Sequence, residues 1–285
     1  MGIDVRKLTY VYNPGTPFET KAVDDVSFEI KDGEFLGIIG HTGSGKSTLI
    51  QHLNALIEPT SGSVYVDGED INASKNRVAL RRRVGLVFQY PEYQLFEETV
   101  LKDVSFGPKN MGRSETESEQ AAKDALTLVG LGEESWAKSP FELSGGQQRR
   151  AALAGVLAMR PEVLILDEPA AGLDPSGRKE ILDIIKRIHS QGTTVVMVSH
   201  SMDDVARLCS RIIVMEQGKK AMDGTPEEVF SRVGELEKMG LKPPSAALLA
   251  KRLKERGLDI NDGIYTLAGL TKELKDKLGG IEKGA

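Results

Sequence analysis

The feature that most constrains this chain is a glycine-rich octapeptide, Gly40-His41-Thr42-Gly43-Ser44-Gly45-Lys46-Ser47. It fits the pattern G-x-x-x-x-G-K-[ST] of a phosphate-binding loop. An apolar run at residues 35–39 precedes it and a helical pattern begins at Thr48, so backbone N–H groups and a helix N-terminus can converge on phosphate oxygens. We expect Lys46 to reach the β- and γ-phosphates of a nucleoside triphosphate and Ser47 to bind Mg²⁺.

A second motif, Leu143-Ser144-Gly145-Gly146-Gln147, stands before a helical pattern at 149–158. Pro161 marks the end of that helix, and the apolar strand 163–166 then leads into Asp167-Glu168-Pro169. With these motifs in this order, the chain resembles the ATP-binding cassette (ABC) ATPase family over roughly residues 3–230.

The resemblance assigns roles to single residues. It implies that Asp167 holds Mg²⁺ with Ser47 and Gln89, that Glu168 polarises the attacking water, and that His200 contacts the γ-phosphate. Lys46, Glu168 and His200 are therefore the expected catalytic residues. The expected ATP contacts are Tyr12, which would stack on adenine, and Gly40, His41, Thr42, Gly43, Ser44, Gly45, Lys46, Ser47, Thr48 and Gln89. Tyr10 is close by in the sequence and is the alternative to Tyr12.

In this family two chains pair head-to-tail. Each ATP then lies between the phosphate loop of one chain and the signature motif of the other, which in this sequence is Leu143-Ser144-Gly145-Gly146-Gln147. The resemblance therefore implies that Ser144, Gly145, Gly146 and Gln147 act in trans on the partner's nucleotide. Asp174, in the run Ala171-Gly172-Leu173-Asp174, resembles the D-loop residue that faces the partner.

The expected fold is that of an α/β P-loop NTPase of the ABC type. It combines a RecA-like mixed sheet, predicted from the apolar strands, with an antiparallel β-subdomain predicted from the alternating runs at 26–30 and 63–66. A helical subdomain is expected at about 90–160. We place the nucleotide-binding domain at 1–230 and a helical extension at 231–285, which is either an appendage packed on its own sheet or a dimerisation element.

Composition limits the classes of partner that we expect for this chain. The net charge of −5 gives no overall basic field for nucleic acid, and the single cysteine excludes an intramolecular disulfide. No apolar stretch is long enough to span a bilayer, and the N-terminus lacks the apolar core of a signal peptide. We therefore expect any membrane association to come through a partner.

Three local runs indicate a branch of the family: residues 14–19, residues 51–54 and residues 88–96. They resemble the ATPases of energy-coupling factor (ECF) transporters, which import vitamins and transition-metal ions, and the second of the two paralogous ATPases is the better match. The run Pro91–Phe96 is expected to form a short helix lining a groove for the transmembrane subunit, with Tyr93, Leu95 and Phe96 as its apolar contacts. Ala170 departs from the Thr or Ser common at that position, without affecting a catalytic role.

The resemblance thus implies an ATP- and Mg²⁺-dependent ATPase at the cytoplasmic face of the cell membrane. Its partners would be a second ATPase, identical or paralogous, a transmembrane coupling subunit and a substrate-binding membrane subunit. The alternative is the ATPase of a conventional ABC importer. DNA-repair and translation-factor members are disfavoured, since the chain has neither a long coiled-coil insertion nor a second cassette.

Overall fold

The computed structural model describes residues 2–71, 77–261 and 263–278. Its strands, in chain order, are β1 (Ile3–Tyr12), β2 (Thr20–Ile30), β3 (Phe35–Gly40), β4 (Ser61–Val66), β5 (Glu69–Asp70), β6 (Val84–Val87), β7 (Val163–Asp167), β8 (Thr194–Val198), β9 (Arg211–Glu216) and β10 (Lys219–Gly224). Its helices are α1 (Lys46–Leu53), α2 (Arg77–Arg83), α3 (Val100–Asn110), α4 (Glu115–Leu128), α5 (Gly145–Leu157), α6 (Pro175–Ser190), α7 (Met202–Leu208), α8 (Pro226–Phe230), α9 (Val233–Lys238), α10 (Ser245–Glu255) and α11 (Leu267–Leu278). Short 3₁₀ turns lie at Pro91–Gln94, Glu133–Ser135 and Pro140–Glu142.

The larger sheet has the strand order β10-β9-β3-β8-β7-β6, with β10 antiparallel and the other pairings parallel. Every residue of β3, β7 and β8 is buried, which explains why these strands read as continuous apolar runs. Because the strands are parallel, their carboxyl ends meet at one edge of the sheet. That edge carries the phosphate loop after β3, Glu168 after β7 and His200 after β8.

The smaller sheet is antiparallel, with the order β2-β1-β4-β5, as the alternating runs predicted. The larger sheet separates two cores. On one face Leu36, Ile38 and Val196 pack with the smaller sheet and α1. On the opposite face Leu164, Leu166 and the buried residues of α3 to α6 form the second core. The mixed sheet, the antiparallel subdomain and the helical elements confirm the predicted ABC-type fold.

Helices α3, α4 and α5 form the expected helical subdomain. Helix α4 begins at Glu115 behind a capping box of Ser114 and Glu117. Helix α5 likewise begins at Gly145, inside the signature motif and ahead of the predicted 149.

The C-terminal extension begins with residues that pack in the large core and continues into a small core of its own. Leu236 and Leu241 belong to the large core, whereas α10 and α11 share a small core of Ala246, Ala250, Ile260 and Leu270. Ser245 does not cap α10 through its own turn. Its backbone N–H and hydroxyl instead donate to Asp203 at the start of α7, each at 2.9 Å, which ties the extension to the ATPase core. The boundary at 230 stays a prediction, and the residues beyond 278 lie outside the described part of the chain.

Within the described part of the chain, no helix is both long and apolar enough to cross a bilayer.

Candidate active site

The phosphate loop is held by two other parts of the chain. Gly45 has φ 97°, and a Cβ atom there would collide with the carbonyl O of Ala22 in β2, so only glycine fits. The carbonyl O of Ser44 accepts from the N–H of Gly218 in the β9–β10 turn at 3.1 Å. The carbonyl O of Gly218 in turn accepts from the N–H of Asp24 in β2 at 2.9 Å. The loop is therefore fixed by β2 and by this turn as well as by its own sequence.

Lys46 is buried inside its own loop. Its Nζ donates to the carbonyl O of Gly40 at 2.7 Å and to that of His41 at 2.8 Å. Burial lowers the pKa of Lys46, and the nearby carboxylates of Glu168 and Asp167 oppose that shift. The ammonium thus lies against the backbone of the loop that is predicted to bind the phosphates.

Asp167 ends β7 beside the loop and is also buried. Burial raises the pKa of Asp167, and a hydrogen bond from the Ser47 hydroxyl works against this. Among the described residues no group of three or more His, Cys, Asp or Glu side chains could hold a metal ion. Mg²⁺ commonly takes one or two protein oxygens, with phosphates and waters as its other ligands. The Ser47 hydroxyl and Asp167 carboxylate fit that need.

Glu168 is the most perturbed carboxylate of the site. Burial raises its pKa to about 7, and the backbone N–H of His200, which donates to it, limits the rise. Its Oε1 atom has no hydrogen-bond partner, although it is buried. Its φ of 50° lies in the left-handed region, a strained conformation for a glutamate. A buried carboxyl with a pKa near neutrality and a free oxygen is suited to accept a proton from water.

His200 lies opposite this carboxylate. Its Nε2 is 3.4 Å from Oε1 of Glu168, which is too long for a good hydrogen bond. Burial lowers the pKa of His200, as does the charge of Lys46, which favours the neutral imidazole. Gln89 lines the same cavity of about 450 Å³ as Glu168 and His200, which brings three of the predicted residues together.

The two tyrosines differ in exposure. Tyr10 is partly buried against the core, between Tyr12 and His52 at centroid distances of 4.8 and 5.0 Å. Tyr12 is 39% exposed, and its hydroxyl is hydrogen-bonded to that of Thr48 in α1 at 3.2 Å. Tyr12 is therefore the ring that a base could reach.

The signature residues cap their own helix. The hydroxyl of Ser144 accepts from the N–H of Gln147 at 3.4 Å, and the side chain of Gln147 accepts from the N–H of Ser144 at 2.9 Å. This reciprocal capping box explains why α5 begins inside the motif. At Gly145 and Gly146 the space beside the backbone is open. Asp174 caps α6 by accepting from the N–H of Gly177 at 3.0 Å.

Two arginines near the site were missed by the sequence analysis. Arg178 of α6 donates to Asp204 of α7 at 2.5 Å and to Ser201, the residue after His200. Arg149 of α5 is buried and contacts Glu92. The buried face of α5 carries Arg149, Leu153 and Leu157, which are four residues apart. A charged residue on an otherwise apolar helical face is the sequence signal that could have identified Arg149.

The expected role of Leu95 is wrong. Leu95 is 7% exposed and belongs to the large core, whereas Tyr93 is 84% exposed and Phe96 is 59% exposed. In the 3₁₀ turn Pro91–Gln94, side chains three residues apart lie on the same side. Glu92 and Leu95 therefore face the protein while Tyr93 and Phe96 face outward.

We expect Leu95→Glu to destabilise the fold by about 3 kcal/mol or more, because it places an unpaired charge in the apolar core. Tyr93→Glu, two residues away but at an exposed position, is the matched control and should change stability by less than about 0.5 kcal/mol. Urea unfolding followed by circular dichroism measures both. Equal stabilities for the two variants would contradict the burial of Leu95.

The fold and this edge of the sheet define a P-loop ATPase of the ABC type. The sequence model described as "ABC transporter" matches residues 23–171. The chain is 55% identical over 277 residues to the energy-coupling factor transporter ATP-binding protein EcfA2 of Clostridium tetani, covering 96% of each chain. It is 54% identical to the protein of the same name from Symbiobacterium thermophilum, covering 100% of this chain and 99% of the relative.

Two solved structures are similar along most of their length. The cbiO1 protein of Clostridium perfringens, part of the ABC transporter complex cbiONQ, matches with a TM-score of 0.73 and 39% identity, covering 87% of this chain and 98% of that one. The ATP-binding cassette MJ0796, a dimer with bound ADP and Pi, matches with a TM-score of 0.71 and 31% identity, covering 79% and 98%. The chain belongs to the ABC transporter family, among the energy-coupling factor transporter ATP-binding proteins, and it is an ATPase.

Proposed function

We propose that this ATPase drives an ECF-type importer for a vitamin or a transition-metal ion by docking on membrane subunits. The names of its relatives support the branch. The observation that carries the docking step is an exposed aromatic patch beside Gln89, which we call the docking patch: Tyr90, Tyr93, Phe96 and Phe106.

The proposed hydrolysis uses the residues gathered at the sheet edge. Lys46 and the phosphate loop bind the β- and γ-phosphates, and the loop's N–H groups stabilise the charge that develops. Glu168 accepts the proton of the attacking water, while neutral His200 donates a hydrogen bond on the γ-phosphate side. Mg²⁺, held by Ser47, Asp167 and Gln89, would neutralise phosphate charge. Tyr12 stacks on the adenine.

The second half of the site comes from a partner chain. The open backbone at Gly145 and Gly146, together with the N-terminus of α5, offers donors for a γ-phosphate. The dimeric state of the MJ0796 cassette supports the pairing of two chains. We assign Ser144 and Asp174 to that interface. The proposed partner is an identical or a paralogous chain.

The C-terminal extension is a second candidate for pairing. It leaves Leu249, Leu258 and Leu267 exposed on and between α10 and α11. We propose that these three side chains contact a partner chain. The contact of Ser245 with Asp203 holds this element against α7 of the same chain.

The docking patch has the chemistry of a helix-binding surface. Phe96 and Phe106 meet edge-on with centroids 4.9 Å apart, and Tyr90 and Tyr93 lie 6.0 Å apart. Exposed aromatic residues grouped beside a site mark partner contacts more often than isolated ones do. We propose that a helix of the transmembrane subunit rests here, which places the protein peripherally at the cytoplasmic face of the cell membrane.

We expect the double variant Tyr93→Glu/Phe96→Glu to lose co-purification with the membrane subunits and, with it, substrate uptake. Two charges would face an apolar contact in the complex, while both side chains face solvent in the free protein. Pull-down of the membrane subunits and uptake into proteoliposomes measure the two effects. ATP affinity should stay within about twofold, since the phosphate contacts lie elsewhere.

Phe18→Glu is the matched control, because Phe18 is 80% exposed on the loop between β1 and β2. It should assemble and transport like the parent. If the double variant also assembles and transports normally, the docking patch is not the membrane contact.

A further inference from the structure

One buried guanidinium joins the docking patch to the loop that follows Glu168. Arg149 is 3% exposed and lies in the second turn of α5, five residues after Ser144. A charged group this deeply buried is costly unless its donors are all used. Its neighbours show where those donors go.

One edge of the guanidinium holds the segment that carries the docking patch. Nε donates to Oε2 of Glu92 at 3.0 Å and Nη2 donates to Oε1 at 2.6 Å, a two-point contact across 57 positions of sequence. The guanidinium carbon also lies 5.6 Å from the ring centroid of Tyr90. Glu92 is the inward-facing neighbour of Tyr93, so a shift of the patch moves this carboxylate.

The other edge holds the start of the D-loop. Nη1 donates to the carbonyl O of Ala171 and lies 3.4 Å from that of Pro169. These carbonyls belong to the segment that connects Glu168 with Asp174. The same side chain therefore fixes three segments: the turn under the docking patch, the helix of the signature motif and the loop behind the catalytic carboxylate.

We propose that Arg149 is a positioning residue that transmits the placement of the docking patch to the D-loop and thereby sets the rate of hydrolysis. The relay to the membrane subunit rests on the proposed function, while the effect on the D-loop does not. A planar fork with two-point contacts resists displacement more than a single flexible contact does. A movement of Glu92 therefore shifts the guanidinium and, with it, the carbonyls of Pro169 and Ala171.

The contacts of Arg149 are separate from those that would hold the nucleotide. Lys46 donates to Gly40 and His41 of the phosphate loop, and Arg149 donates to none of these. Loss of the relay should therefore lower kcat and leave the KM for ATP unchanged. A general loss of structure would instead affect kcat, KM and thermal stability together.

The test uses Glu92→Gln, Arg149→Lys and the double variant, each purified alone and in complex with its membrane subunits. Glu92→Gln keeps the shape and removes the charge, and Arg149→Lys keeps the charge and removes the fork. We expect each to lower kcat about tenfold or more, with KM for ATP within about twofold. The double variant should be no worse than the more impaired single variant, because the two residues act as a unit.

The matched control is Glu180→Gln, which breaks the Arg150–Glu180 pair of 2.7 Å at the next position of the same helix, where Glu180 is half exposed. It should hydrolyse ATP like the parent. Unchanged kcat in the isolated Glu92→Gln and Arg149→Lys proteins would overturn the proposal whatever the membrane partner is. Additive losses, or KM rising in step with the fall in kcat while the melting temperature drops, would also overturn it.

The complexes separate this proposal from the proposed function. If Glu92→Gln assembles with the membrane subunits but no longer shows stimulation of hydrolysis by them, the relay is supported. If it assembles and is stimulated as the parent is, the relay to the membrane is wrong. Failure of the docking patch itself is read from Tyr93→Glu/Phe96→Glu, which leaves the Arg149–Glu92 pair in place.

Discussion

Replacing Glu168 by Gln is expected to lower the steady-state rate of ATP hydrolysis by about 100-fold or more while ATP binding is retained. The variant keeps the shape of the side chain but removes the carboxylate that would take the proton from water, a role typically worth a factor of this size. Burial already holds the pKa of Glu168 at about 7, so the group is matched to that task near neutral pH. Lys46 and the phosphate loop are untouched.

Phosphate release and nucleotide binding should be measured on the same preparation, so that a loss of turnover is not confused with a loss of binding. Glu162→Gln is the matched control. Glu162 comes just before the first residue of β7, at the end of the strand away from Glu168, and it pairs with Arg83 at the surface. It should leave turnover unchanged. If Glu168→Gln retains turnover within a few-fold of the parent, another group activates the water.

The second large effect is expected from Lys46→Ala, which should weaken ATP binding by about tenfold to a hundredfold. The variant removes the buried ammonium and, with it, the charge-assisted hydrogen bonds that we propose it donates to phosphate, each worth about 1.5–3 kcal/mol. It also leaves the carbonyls of Gly40 and His41 without their donor. Titration with a fluorescent ATP analogue and Mg²⁺ measures the change in affinity.

Lys179→Ala is the control for the loss of a positive charge, since Lys179 is exposed on α6 and pairs only at the surface with Asp183. Its affinity for ATP should equal that of the parent. Parental affinity in Lys46→Ala would contradict the assignment of the phosphate loop.

The parts of the site that the sequence predicted have one property in common. Each consists of consecutive residues that follow a buried strand. The phosphate loop, the pair Asp167-Glu168 and His200 follow three apolar runs, and parallel pairing of those strands brings them to one edge. The order of the strands in the larger sheet was harder to predict from the sequence. It depends on which strands pair across more than a hundred residues, as β3 does with β8.

The features that were missed depend on contacts between distant segments or on the phase of a short turn. The Arg149–Glu92 pair joins two elements that no local pattern connects. Leu95 was placed on the wrong side because one 3₁₀ turn is too short to show a period in the sequence. Ser245 donates to Asp203, which lies 42 residues earlier in the chain, and no local pattern indicates that contact.

The anchoring of the phosphate loop by Ala22 and Gly218 has a mechanical consequence. With Gly45 against β2 and Ser44 bonded to the β9–β10 turn, the loop is braced at its base before any nucleotide arrives. The base of the loop therefore loses little conformational entropy when a nucleotide binds. Ordering of the loop is then not the change that signals nucleotide binding to the rest of the molecule. We therefore expect nucleotide binding to be transmitted by parts of the molecule that are held by fewer contacts than the phosphate loop.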